Sequence, residues 1–195
     1  MSKYIFKNSN IYYSNSTIPK NRLNIKDKKE LEKIEATLLF EGYEKFAKKL
    51  DIELDLNFFI SLHKNIFFDL YEWAGEIRDI DISKGDTLFC RGMYVKSELN
   101  KLFQKLKKDN YLQNLDKENF IKKLAYYKCE LIAIHPFYEI NGRIIRLFID
   151  ILSINGGYSV IDYSNITKDK YIKCAIECVQ NVDYSCFENI IRNSI

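Results

Sequence analysis

Between Gly142 and about Ile154 the chain carries Ile144, Ile145, Leu147, Phe148, Ile149, Ile151 and Leu152. A helix apolar on nearly every face has to lie inside a protein, with other elements packed around it. That requirement selects a bundle in which amphipathic helices enclose one central helix, and the rest of the sequence can be read for those partners.

Asp27, with Glu30 three residues on, resembles a capping box, and Leu31, Ile34, Leu38, Leu39 and Phe40 recur at helical spacing towards Leu50. Leu56, Phe59, Ile60, His63, Ile66, Phe67 and Leu70 predict a second helix over 55–71. Further helices are predicted over 94–108, 116–134 and 167–179, and from Asp183 to the carboxyl end. From Gly75 to Gly92 the pattern lapses: Ile77, Asp79, Asp81 and Ser83 alternate before Lys84, Gly85 and Asp86, as in an irregular hairpin, the one β element expected. Residues 1–26, polar and carrying Pro19, read as an irregular arm over a domain spanning 27–195. The fold class is mainly α, a helical bundle with a small β-hairpin flap.

A chain of 195 residues that is 47% hydrophobic supports one core. Its 30 basic and 27 acidic side chains are interspersed, which gives no electrostatic case for nucleic acid. No apolar run is long enough to span a bilayer, and MSKYIFKNSN lacks the features of a secretory leader, so the expected location is the bacterial cytoplasm, with delivery into another cell left open. Lys101, Lys105, Lys107 and Lys108 alternate with Leu102, Phe103 and Leu106 and read as a solvated helix face. The five cysteines read as reduced thiols, mostly in the core, and zinc at Cys174 and Cys178 is set aside for want of a second suitably spaced pair. His63, on an apolar face, reads as a packed histidine with no catalytic role.

The chemistry gathers around the start of the central helix. The preceding helix ends at His135-Pro136, and a residue before proline is pushed towards extended geometry, so His135 faces a loop. The loop runs Phe137, Tyr138, Glu139, Ile140, Asn141 and opens into the helix at Gly142. Unpaired amides and the positive end of the helix dipole make such a start an anion site, and Arg143 and Arg146 project beside it. Each arginine alone is equally well read as a salt bridge to Glu139, Asp150 or another acid. A histidine base, a carboxylate, an amide, a glycine and two guanidiniums within a dozen residues form a set suited to phosphate transfer.

HPFYEINGRIIR is similar to the signature of the Fic family, His-Pro-Phe-any-Asp/Glu-Gly-Asn-Gly-Arg-any-any-Arg, at all fixed positions but one. LYEWAGEIRDIDISKGDTLF, residues 70–89, resembles the family's Trp-Ala-Gly-any-Ile-Arg segment and the flap after it. The resemblance implies a transferase that moves AMP from ATP to a tyrosine, threonine or serine hydroxyl of a target protein. By it His135 takes the hydroxyl proton, Phe137 packs inward beside Pro136, and Glu139 binds magnesium. Asn141, the Gly142 backbone and Arg143 hold the α and β phosphates, and Arg146 reaches the γ phosphate. The flap residues Ser83, Lys84, Gly85, Asp86, Thr87 and Leu88 clamp the target by strand-like pairing. The related Doc branch, which phosphorylates its target, has lysine where Gly142 stands here, and this favours AMP transfer.

Many relatives are held off by a helix bearing Ser/Thr-any-any-any-Glu-Gly/Asn. TLLFEG, residues 37–42, fits that pattern and would set Thr37 and Glu41 against Arg146; as ordinary helix residues they would leave inhibition to a separate small antitoxin-like partner of a toxin. The one mismatch in the signature is Ile140, where the family has glycine. A β-branched residue resists positive φ, and a left-handed residue here would store about 1–3 kcal/mol of strain. The rival reading is therefore a non-catalytic Fic domain that serves as a binding module.

Overall fold

The computed structural model describes residues 4–6, 11–46 and 53–195. In chain order the elements are β1 (Tyr4–Phe6), α1 (Lys28–Phe46), α2 (Leu56–Phe67), β2 (Ile82–Lys84), β3 (Thr87–Leu88) and α3 (Gly92–Lys108). A 3-10 turn (Asn110–Leu112), α4 (Lys117–Ile134), α5 (Asn141–Asn155), α6 (Lys168–Asn181) and α7 (Ser185–Arg192) follow. The predicted helices are all present, and the fold is mainly α as expected. The end of the first predicted helix, residues 47–50, lies outside the described residues.

α5 is the enclosed helix. Ile144, Ile145, Leu147, Phe148, Ile149 and Leu152 have no solvent contact. Phe148 meets the rings of Phe59 on α2 at 5.1 Å and Phe103 on α3 at 5.5 Å, so three helices lock at one aromatic cluster. Helix starts are set by side chains that accept orphan amides: Asp27 from Glu30, Asp55 from Phe58, Asp116 from Asn119 and Thr167 from Lys170. Lys128 of α4 is fully buried, donates to the Tyr163 hydroxyl at 2.9 Å and lies over the rings of Tyr163, Tyr171 and Phe187. Burial opposes its charge, but the two tyrosines hold it above the usual lysine range.

Two expectations are corrected. The arm is not wholly irregular. β1 pairs antiparallel with β2, the Tyr12–Pro19 bridge closes a second short loop, and the sheet has the order β1-β2-β3. A strand of three residues, Tyr4-Ile5-Phe6, is too short for an alternating side-chain pattern to mark it. The core cysteines are not all thiols: Cys129 is bonded to Cys178 and Cys174 to Cys186, each with Cα atoms 5.4 Å apart. Docking of α6 and α7 on α4 brings them within the range a disulfide needs, which spacing along the chain does not reveal. Cys90 is a thiol.

Gly92, the first residue of α3, lies against the backbone of Asp79, where an added Cβ would stand 2.2 Å from the carbonyl oxygen. An added Cβ at Gly142 meets nothing within 4 Å. Gly92→Ala is expected to lower stability in urea unfolding by about 1–3 kcal/mol. Gly142→Ala, in an open helical position, should stay within about 1 kcal/mol of wild type or exceed it. Equal stability of the two variants would contradict the close approach at Gly92.

Candidate active site

α4 ends at Ile134, and the chain turns out of it through His135 at φ 51°, ψ 62°, a left-handed conformation rather than the extended one its proline neighbour favours. Arg78 holds it there. Its guanidinium, 1% exposed, donates to the carbonyls of His135 at 2.7 Å, Ile134 at 2.8 Å, Cys90 at 2.6 Å and Ile80 at 2.5 Å. Its main-chain N–H donates to Pro136 at 2.9 Å. A planar fork of donors can satisfy acceptors from separate segments at once, and its charge sits at the negative end of α4. The end of α4, the loop that follows it and both stems of the hairpin are thereby tied to one side chain.

The His135 ring is buried and stacked on Phe89, with centroids 3.8 Å apart. Its Nδ1 lies 3.1 Å from the Ile132 carbonyl, which assigns the proton to Nδ1 and makes Nε2 the basic atom. Burial pushes its pKa down to about 3, against the Ile132 bond, with Arg78 and Lys84 adding to the depression. His63, also pushed down to about 3 by burial, accepts the Gly75 N–H at Nδ1 (2.9 Å) and faces the Glu139 carbonyl with Nε2 (3.3 Å). It stacks on Phe137 at 4.1 Å. His63 is thus the packed, bonded histidine its position suggests, and it supports the loop from beneath.

The loop from Phe137 to Asn141 closes on itself. The Asn141 amide accepts from the Phe137 N–H and donates to the Phe137 carbonyl, each at 2.7 Å. That side chain is wholly buried, so what Asn141 offers a ligand is its backbone N–H. Ile140 stands at φ 66°, ψ 4°, 3% exposed and part of the core. The backbone here is left-handed, and the isoleucine side chain is packed into the core. Gly142 faces open space at the start of α5.

Of the two arginines, Arg143 pairs with Glu35 of α1 at 2.9 Å, and Glu35 also accepts from the Tyr71 hydroxyl at 2.5 Å. Arg146 lies over the rings of Tyr163 and Tyr171, 4.8 Å from each, and its buried Nε has no hydrogen-bond partner. The pattern reading that would set Glu41 against Arg146 finds no matching contact. Thr37 and Glu41 are exposed on α1, and among the described residues Glu41 makes no ion pair with Arg146. Six residues earlier, Glu35 is the acid on the face of α1 that meets α5.

Glu139 accepts a hydrogen bond from the Tyr12 hydroxyl of the arm. Lys84, at the flap tip with Ser83 and Gly85, acts electrostatically on both Glu139 and His135. Thr87 is buried and accepts from Gln180 of α6 at 3.3 Å, while Asp86 and Leu88 are exposed. Among the described residues no group of three or more histidine, cysteine or carboxylate side chains forms a metal cage. A lone carboxylate beside a phosphate cradle suits magnesium, which takes one or two carboxylates and completes its shell with phosphate oxygens and water. Gly142 is exposed and faces open space, and with the unpartnered Arg146 Nε this leaves room and a donor for a polyphosphate there. Sequence reasoning missed Arg78, His63 and Glu35 as organisers of this site; the Arg of Trp-Ala-Gly-Glu-Ile-Arg was the available signal for the first.

A family model described as Fic/DOC matches residues 53–153. The chain is 34% identical over 165 residues to the probable protein adenylyltransferase Fic of Escherichia coli, covering 82% of this chain and 78% of that one. It is also 34% identical to the probable protein adenylyltransferase y4lH of Sinorhizobium fredii, covering 90% and 91%. The crystal structure of the translocated effector BepC from Bartonella tribocorum, with bound AMPPNP, superposes with a TM-score of 0.85 at 25% identity, covering 95% of each chain.

The chain has two histidines, so their ring signals can be followed individually by NMR. Both are expected to remain neutral from pH 8 to pH 5; an inflection near 6.5 in either would contradict the burial described. Because their folded pKa values lie below the unfolded one, the unfolded chain binds the extra protons. Their stabilising contribution is complete above pH 6.5 and falls by about 1.4 kcal/mol per unit for each histidine as the pH drops towards 3.

Proposed function

Because this chain belongs to the Fic/DOC family, we propose that it is a protein adenylyltransferase, moving AMP from ATP to a tyrosine, threonine or serine hydroxyl of another protein. The observation that carries this reading is the position of a neutral, orientationally fixed His135 at one end of a short loop whose other end is the open start of α5. The Asn141 and Gly142 amides, with Arg143 and Arg146, are the groups to receive the phosphates. The hydroxyl oxygen attacks the α phosphorus, its proton passes to Nε2 of His135, and the bond to the β-phosphate oxygen breaks to release pyrophosphate. Magnesium held by Glu139 would neutralise phosphate charge. Since Glu41 does not approach Arg146, inhibition is assigned to a separate small protein, as for a toxin with its antitoxin.

Ile140 motivates the rival reading, a domain that binds without catalysing, and its geometry favours the catalytic one. The strain of a left-handed isoleucine is about 1–3 kcal/mol. Burying its side chain contributes about 1.5–3 kcal/mol in return, so the loop can keep its shape with isoleucine in it. Ile140→Gly removes both contributions, and its transfer rate is expected within about threefold of wild type, a difference under 1 kcal/mol. A gain of a hundredfold would identify the natural residue as disabling.

Purified protein incubated with magnesium, a bacterial lysate and ATP should transfer label from the α position and none from the γ position. His135→Ala should reduce transfer by about 10²–10⁴-fold, the usual contribution of a general base. Retention of γ label on the target would indicate phosphorylation instead, and absence of any transfer by the wild type would overturn the reading.

A further inference from the structure

The flap's inner strand has no open edge. In the order β1-β2-β3, β2 is central: β3 pairs with it through Ser83–Leu88 and Lys84–Thr87. β1 takes the other side through Tyr4–Lys84, Ile5–Ser83 and Phe6–Ile82. The edge held by β1 is one on which an extended target segment would add as a strand, because backbone pairing is what an exposed edge offers. Further along the arm, the Tyr12 hydroxyl donates to Glu139, the carboxylate assigned to magnesium. The arm thus meets the site twice, once at the flap edge and once at the catalytic loop. Lys84 links the two contacts, being opposite Tyr4 in the ladder and electrostatically coupled to Glu139 and His135.

We propose that the amino-terminal arm is a built-in occupant of the target-docking edge, so that a target segment binds by strand exchange, displacing Tyr4–Phe6 from β2. The inference rests on the assignment of 82–88 as the docking flap. It specifies the partner: an extended backbone running antiparallel to β2, in the register the arm now holds. It also specifies the regulation, since a three-residue strand is a weak competitor that an adequate target segment can replace. The Tyr12 contact gives the arm a second hold that engagement of Glu139 by a metal would compete with.

The test uses the full chain and a fluorescein-labelled peptide, SKYIFKN, identical to residues 2–8, read by fluorescence anisotropy. Proline at Ile5 removes one backbone donor of β1, and prolines at both Tyr4 and Phe6 remove the alternate two, so one of these variants breaks the ladder whichever set faces β2. Amide hydrogen exchange at 82–84 is measured in parallel. In at least one variant the peptide should bind at least tenfold more tightly than to wild type, exchange at 82–84 should quicken at least tenfold, and added peptide should restore protection. Equal peptide affinity in wild type and both variants, or unchanged exchange in both, would overturn the proposal. Neither readout requires catalysis, so a failure here is separable from failure of label transfer to appear.

Discussion

The arrangement of the site depends on one buried guanidinium. The last carbonyls of any α-helix lack intrahelical donors, and at the end of α4 two of them, from Ile134 and His135, are satisfied by Arg78. The same side chain reaches Ile80 and Cys90, which flank the β2-β3 hairpin. Burying a charge is costly unless it is fully hydrogen-bonded, and here the bonds are spread over the end of α4 and both stems of the β2-β3 hairpin. A lysine, with its donors at one point, has no comparable reach. The position of the histidine and the position of the flap therefore share one anchor, so a shift in either is felt by the other.

From that anchor the loop is built inward on both sides. His63 and Phe137 stack beneath it, Asn141 closes it, and Ile140 turns it through left-handed space while its side chain joins the core. Among the polar groups on its open side are Glu139, the backbone of exposed Gly142 and the two partly buried arginines. Their charges are already partly answered: Arg143 by Glu35, and Arg146 by the faces of two tyrosines. Burial raises the Tyr171 phenol, but Lys128 and Arg146 outweigh it and hold the group below the usual range. On the proposed function an incoming polyphosphate would meet a cationic surface preorganised by these partners, which is the condition under which electrostatic stabilisation is strongest.

Most of the helices, and the contiguous residue set on which the candidate site rests, were legible in the sequence, because both are written in short-range patterns. Apolar spacing marks α2 and α5, caps at Asp27, Asp55, Asp116 and Thr167 mark helix starts, and the HPFYEINGRIIR set is contiguous. What escaped depends on distant residues meeting. Glu35 reaches Arg143 across 108 positions, and Tyr12 reaches Glu139 across 127, with nothing local to announce either. The pairing of Cys129 with Cys178 and the β1 strand are of the same kind. The pattern that would set Glu41 against Arg146 carries no information about which face of α1 meets α5, and Glu35 is the acid that lies on that face.

The central claim is that the start of α5 receives the phosphates of ATP beside a neutral His135. Backbone amide shifts recorded while ATP and magnesium are added test it most directly. The largest changes are expected at Asn141, Gly142 and Arg143, with smaller ones at His135 and Lys84. Saturable changes centred elsewhere, with Gly142 unmoved, would contradict it.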